Sequence, residues 1–330
     1  MRRDVRRWLP TIRRVSAEVI ELDGQYRALR EGGGLVDRSE RGKLVASGSD
    51  ALEFLQGQLT NDLEALAPGG GCYAALLDRK GHMQADMRVL LLAEQEVWLD
   101  TEPAATDAVM RHLATYKIGR QVEIAQPGAD LAILSLLGPA ARELAGTGPL
   151  APEHAHRELE VGGVECRAIA TDLGVDFICP ASRTREVGGA LIEAGAAAVS
   201  EPAVEILRVE SGRPRFGREM STATIPQEAG IDGRAVSFTK GCYIGQETVA
   251  RLHYKGRPNR HLRGLRLEAP VSEDDAIALE GRDVGRVGTA VISPAHGPIA
   301  LAVIRREAEP GALVEVGESG VGGQVVELPF

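Results

Sequence analysis

Apolar positions follow two periods along this chain, and each period predicts a different kind of structure. Arg41 to Ser47 alternates and predicts a strand. Ser49 to Leu59 has helical spacing: Leu52, Leu55 and Leu59 share a face, and Ser49 or Asp50 is placed to cap it. Cys72 to Leu77 and Met83 to Leu92 read as paired strands joined at Asp78-Arg79-Lys80-Gly81, with Glu96 to Asp100 as a further strand. Ala104 to Thr115 reads as a helix with Val109, Leu113 and Tyr116 on its buried face, and Val122 to Ile124 pairs back.

A second cycle follows. Leu131 to Leu137 is an apolar strand, Ala140 to Leu144 starts a helix, and Glu160 to Ala168 and Val175 to Cys179 are strands. Arg183 to Ala194 and Pro202 to Ser211 are helices. Strands and helices mixed in this order predict an α+β core with helices on one side of antiparallel sheets. From Pro258 onward the helical period vanishes. Leu262–Leu267, Ala276–Leu279, Asp283–Ser293, Pro298–Ile304, Leu313–Val316 and Gly322–Glu327 are short strands between Gly, Pro and Asp turns, which predicts a small β-barrel.

Composition narrows the function classes. The 330 residues suffice for two or three domains, and 44% apolar with 26% charged is ordinary for a soluble globular chain. No apolar run approaches the ~20 residues that span a bilayer. A net charge of −9 argues against broad nucleic-acid binding. Arg2, Arg3, Arg6, Arg7, Arg13 and Arg14 form a local basic arm, read either as a solvated tail or as an anchor for an acidic partner or RNA. No apolar stretch follows it, so it is not a secretory signal. Cys72, Cys166, Cys179 and Cys242 lack metal-ligand spacing, which fits free thiols in a reducing cytoplasm. The first three lie in apolar strands and read as small core residues.

Lys240-Gly241-Cys242-Tyr243-Ile244-Gly245-Gln246-Glu247 holds the chemically suggestive cysteine. Gly245 to Leu252 reads as the start of a helix, so the macrodipole and the Lys240 ammonium both favour a Cys242 thiolate. Gly241 and Gly245 keep its approach open. The plain alternative is a small residue in a tight turn. Lys240 either binds an anion or tunes the thiol, and Glu247 and Arg251 are spaced to pair on the helix.

This segment resembles the signature of the YgfZ group within the folate-binding YgfZ/GcvT superfamily, which also contains the aminomethyltransferase (T-protein) of glycine cleavage. Leu35 to Leu63, Val204 to Gly217 and Gly285 to Val303 are similar to its N-terminal, central and C-terminal blocks. The resemblance implies a cloverleaf of two mixed domains and a barrel: residues 15–125, of folate-binding type; 126–257, carrying the Cys242 motif; and 258–330. It implies tetrahydrofolate, or a one-carbon derivative, bound at a central opening that Cys242 also faces.

Folate needs an acceptor for the pterin N–H edge, an apolar wall for the ring and a cation for the glutamate tail. T-proteins carry adjacent aspartates on one strand, one of which is thought to act on the folate. This chain has Ala85-Asp86 there, so the second acidic position is kept. Asp176 falls where the family has a pterin-binding Glu, and Arg208 where it has an arginine near the folate. Tyr73 and Met83 are candidates for the wall. Plain readings stand beside these: outward strand residues for Asp86 and Asp176, an ion pair with Glu205 or Glu210 for Arg208, and core packing for Tyr73 and Met83. Cys242 and Asp86 are the catalytic candidates. Gln246 and Glu247 order the loop by family likeness, with Gly241, Tyr243 and Gly245.

The resemblance leads first to a cytoplasmic tetrahydrofolate-binding accessory protein. It would support iron–sulfur cluster assembly or repair and, through cluster enzymes, tRNA modification, with iron–sulfur enzymes or assembly proteins as partners. A one-carbon (aminomethyl) transferase of the T-protein kind is a second reading. A non-catalytic folate-domain scaffold is a third.

Overall fold

The structure is a computed structural model and describes residues 21–330; the basic arm lies outside them. In chain order the first elements are α1 (Leu22–Glu31), β1 (Gly34–Asp37), β2 (Gly42–Ser47), α2 (Ala51–Gln58), β3 (Gly71–Leu77), β4 (Met83–Ala93), β5 (Glu96–Thr101), α3 (Thr106–Tyr116) and β6 (Glu123–Ala125). Then come β7 (Leu131–Leu137), α4 (Ala141–Leu144), β8 (His156–Val161), β9 (Val164–Ala170), β10 (Gly174–Pro180), α5 (Thr184–Glu193), β11 (Ala197–Ala198) and α6 (Glu201–Glu210). Last are α7 (Asp232–Ala235), α8 (Gln246–Lys255), β12 (Arg260–Leu267), β13 (Ala276–Leu279), β14 (Arg282–Ser293), β15 (Gly297–Arg305), β16 (Leu313–Val316) and β17 (Val321–Val326).

The fold is α+β: two mixed sheets and a closed barrel. One sheet runs β3-β4-β5-β2-β6, the other β11-β1-β7-β10-β9-β8, and the barrel closes in the order β12-β15-β14-β13-β16-β17. The chain separates into two compact units, one made of residues up to Arg41 with Pro127–Val204, the other of Gly42–Gln126 with Glu205–Phe330. Residues 205–257, grouped with 126–204 by chain order, therefore lie in the unit of the first sheet and the barrel. The physical reason is packing: Met220, Ile231 and Ala235 bury against Ala75, Leu77 and Met83 of the first sheet, and Arg208 binds Thr289 of the barrel.

In the unit of Gly42–Gln126 and Glu205–Phe330, one face of the sheet meets α2 and α3. Leu44, Leu55, Leu59, Ala85, Met87, Val89 and Leu113 are buried there. Each fully buried Leu or Met side chain contributes about 1.5–3 kcal/mol of transfer free energy. The α3 helix begins later than its spacing suggests, after a 3-10 turn at Pro103–Ala105. Val109 and Leu113 are buried in it, but Tyr116 is exposed and stacks on His112 at 4.5 Å. Asp50 precedes α2 without capping it through its side chain; its carboxylate accepts from the Gln121 amide instead.

In the other unit, the run from Glu160 to Ala168 is not one strand. It turns back at Gly162-Gly163, both in the left-handed region, and Val161 faces Val164. A two-residue loop with positive φ at both positions matches the twist of a hairpin. Cys166 and Cys179 are buried in this unit's core, whereas Cys72 is half-buried, and all three are free thiols. No helix among the described residues is long and apolar enough to cross a membrane.

Candidate functional site

Alternation along β4 sorts its side chains onto two faces. Ala85, Met87 and Val89 enter the helix-side core, and Ala85 is fully buried there. Asp86 points to the opposite face, opposite Ala75 in the register. The Tyr73 hydroxyl donates to Asp86 Oδ2 at 2.7 Å, and the Thr101 hydroxyl donates to the Asp86 carbonyl at 2.5 Å. Side chain and backbone of Asp86 are thus both held. Ala85 enters the helix-side core, whereas Asp86 shares its face with Tyr73, Arg88 and Asp100.

The same face carries a second acid with different partners. Asp100 is completely buried, and its Oδ2 accepts from Arg88 Nε at 2.7 Å and from Trp98 Nε1 at 3.2 Å. That is a charge-assisted structural pair. The Arg234 guanidinium lies over the Tyr73 ring at 5.3 Å, near enough for a cation–π contact. Asn61 Nδ2 donates to the carbonyls of Tyr73 and Arg234, tying β3 to the segment that carries the arginine.

Met83 lies on this same face, but as a buried residue and not an exposed wall. It is fully buried with Leu77, Met220, Ile231 and Val249. The cause is a bulge: the register shifts between Leu76 and Leu77, so Met83 and Ala85 point to opposite faces although two residues apart.

Arg208 also departs from its expected role. Its Nε donates to both oxygens of Glu205 at 3.0 and 3.1 Å. Nη1 donates to the Arg213 carbonyl at 2.5 Å and to Glu219 at 3.0 Å, and Nη2 to Glu205 at 3.0 Å and Thr289 at 2.7 Å. All five N–H donors of the guanidinium are engaged within the protein. Burial opposes its charge, but Glu219 and Glu205 hold it above its ordinary value. Its work is to join α6 to the barrel, and no donor is left for a folate carboxylate.

Asp176 lies in the other unit. It is buried on β10, between Ser135 of β7 and Ile169 of β9 in the register. Within its unit the structure therefore brings Tyr73, Asp86 and Met83 to one face of the sheet, with Tyr73 packed against the cluster that buries Met83, while the Arg208 guanidinium is engaged by Glu205, Glu219 and Thr289.

The Lys240–Glu247 segment is exposed at Gly241 and Cys242 and buried at Tyr243. Cys242 is not on the helix. The α8 helix starts at Gln246 with Gly245 as its N-cap, so the sulfur precedes the region where the macrodipole acts. Lys240 is turned away from the role of thiol tuner or anion ligand: its Nζ donates to the carbonyls of Gln56, Leu59 and Asn61 at 2.6, 2.8 and 2.8 Å. It caps the C-terminal end of α2, where carbonyls lack helical partners. Burial pushes it down to about 8, and burial pushes the Tyr243 phenol up to about 12. No ion pair joins Glu247 to Arg251 among the described residues; both are exposed.

The role of Lys240 was invisible to sequence reasoning, because its acceptors are main-chain atoms 179 to 184 residues away. Thr60, Asn61 and Arg234 were missed as well. The signal available was the adjacent polar pair Thr60-Asn61 closing an apolar helix. Thr60 Oγ1 donates to the Ala235 carbonyl at 2.6 Å and accepts from Ala75 N at 2.8 Å, both inside the protein.

Among the described residues no group of three or more His, Cys, Asp or Glu side chains is placed to hold a metal ion. A cleft of about 490 Å³ on the barrel, between Arg266, Glu268, Leu313 and Gln324, contains none of the expected site residues.

Comparison with known proteins gives the family and the fold. The GCVT N-terminal domain profile matches residues 15–240. An aminomethyltransferase of Symbiobacterium thermophilum is 30% identical, over 93% of this chain and 88% of its own length. A putative chloroplastic transferase of Arabidopsis thaliana, At1g60990, is 28% identical over 90% of this chain and 71% of its own length. The crystal structure of glycine cleavage system aminomethyltransferase T from Bartonella henselae has a TM-score of 0.85 at 22% identity, covering 95% of this chain and 90% of that one. That likeness shows the fold.

Proposed function

Because the chain belongs to the GCVT N-terminal domain family, we propose that it binds tetrahydrofolate or a one-carbon derivative and acts as an aminomethyltransferase-like protein. One observation carries the reading: the Asp86 carboxylate, on the sheet face that also bears Arg88 and Asp100, is oriented by the Tyr73 hydroxyl at 2.7 Å. The residues fit a pterin. Asp86 would accept from its N–H edge, and Tyr73 with the Arg234 guanidinium above its ring would flank it. When bound, the folate supplies the nitrogen that takes up a one-carbon unit. The chain's own part is to hold that edge, with the Asp86 backbone fixed by Thr101 and the Asp86 side chain by Tyr73. The Tyr73 hydroxyl sets the direction of the carboxylate.

The test is transfer itself. Protein, tetrahydrofolate and an aminomethylated lipoyl carrier protein should yield methylenetetrahydrofolate and ammonia at a rate abolished by Asp86→Ala. Tight folate binding without product would reject the transferase reading and keep the folate site.

A second reading is favoured by Cys242. Its thiol is exposed, and Gly241 beside it has open space where a side chain would stand. This supports an accessory role of the YgfZ type, in which the thiol serves iron–sulfur cluster assembly or repair and hence tRNA modification. Cys242→Ala that restores cluster-enzyme activity as fully as wild type in complementation would remove this reading.

A further inference from the structure

The α8 helix has two unlike faces. Val249 is fully buried, Leu252 is half-buried, and the His253 ring stacks on Phe238 at 3.6 Å. Positions i, i+3 and i+4 thus make the held face. Arg251, Tyr254 and Lys255 have the same spacing and are all exposed, Tyr254 at 67%. Past the helix, Arg257 and Arg260 are exposed too. From Thr248 to Leu267 the chain carries Arg251, Lys255, Arg257, Arg260, Arg263 and Arg266 and no acid, within a protein of net charge −9. Arg263 pairs with Glu327, and Arg266 lies over the Phe330 ring. Arg251, Lys255 and Arg257 form no ion pair among the described residues, whereas Arg260 is near enough to Glu228 to act on its charge.

Solvated lysines and arginines are common. A stripe of three cations without an ion pair, Arg251, Lys255 and Arg257, around a largely bare tyrosine is a surface with a direction. We propose that this stripe is a docking face for an acidic protein surface, with Tyr254 as its amphipathic anchor. Tyrosine and arginine are the residue types that carry most binding energy at protein interfaces, and opposite potentials steer encounter and fix orientation. A nucleic acid fits less well. Its phosphates would meet the repulsion of the whole negative chain, and the rings here pack on one another, Phe238 on His253 and Tyr254 edge-on to His253, instead of standing as a succession of separate stacking platforms. The loop from Phe238 to Gly245, which contains Cys242, leads into this same helix, so a docked partner would lie along the segment with the exposed thiol. The inference is independent of the folate reading.

The experiment uses fluorescence anisotropy with a labelled polyglutamate peptide, single-stranded polyuridylate and anionic phospholipid vesicles as probes. Wild type should bind polyglutamate in a salt-dependent way. The R251E/K255E/R257E variant should bind it roughly tenfold or more weakly, and Tyr254→Ala several-fold more weakly. Thermal midpoint and folate titration should be unchanged, since all four side chains are exposed. Equal binding by the charge-reversed variant would overturn the proposal. So would tighter binding of polyuridylate or vesicles than of polyglutamate at equal charge.

Discussion

Gly245 and Gly81 pack backbone to backbone. A β-carbon on Gly245 would sit 3.2 Å from Gly81 Cα, 2.4 Å from the Asp78 carbonyl oxygen and 2.9 Å from Leu77 Cβ. Both glycines are in the left-handed region, with φ of 85° and 86°. The N-cap of α8 is therefore pressed onto the β3–β4 turn, the turn leading into the strand that carries Asp86. Gly245→Ala combines a strained φ with a main-chain collision and should cost about 2–4 kcal/mol in urea unfolding. Gly241 is the internal control: it has no neighbour within 4 Å and no left-handed φ. Gly241→Ala should stay within ~0.5 kcal/mol of wild type. Equal effects at the two positions would contradict this account of the segment.

Lys240 gives a pH prediction with a definite sign. An unfolded lysine titrates near 10.4, and burial pushes this one down to about 8 when folded. Between those values the unfolded chain binds more protons at Lys240 than the folded one, so its contribution to stability rises with pH. Below the folded value both states are protonated and the burial penalty is carried in full. The stability of wild type minus that of Lys240→Met should therefore increase from about pH 8 to about pH 10. A difference that shrinks over this window would mean that the three carbonyls outweigh burial.

Ala85 is fully buried against the helix-side core. Recreating the adjacent aspartates of T-proteins by Ala85→Asp should therefore destabilise the protein by ~3 kcal/mol or more, an unpartnered acid in hydrocarbon. It should not raise transfer activity. Denaturant unfolding and the transfer assay on the same preparation check both halves.

Arg208 separates structural from binding roles. Arg208→Ala leaves the buried Glu219 without its cation, while Glu205 keeps Arg215, and breaking a buried pair in this way costs about 3–5 kcal/mol. Folded protein recovered below its lowered melting point should bind tetrahydrofolate as wild type does. A loss of folate affinity with unchanged stability would restore Arg208 as a ligand contact.

What the chain disclosed before folding was what lies in neighbouring residues. The period-two pattern of β4 separates Ala85 from Asp86, and the Gly, Pro and Asp punctuation after Pro258 marks every barrel strand. The Gly162-Gly163 hairpin had a local signal too, passed over because the flanking residues read as one continuous run. What stayed hidden depends on distant partners. Met83 changes face through a bulge whose register is set by β3. The donors of Arg208 reach Thr289, 81 residues away. Lys240 binds main-chain oxygens, which leave no trace in side-chain identity. The family likeness correctly gave the α+β architecture and placed Asp86 on a strand; it could not tell that this chain's Arg208 is fully occupied.

Calorimetric titration of tetrahydrofolate into wild type, Asp86→Ala and Tyr73→Phe tests the central claim most directly. The geometry predicts saturable binding to wild type, weakened about tenfold or more by Asp86→Ala and less by Tyr73→Phe, with unfolding midpoints unchanged. A flat wild-type titration, or equal affinity in Asp86→Ala, would contradict it.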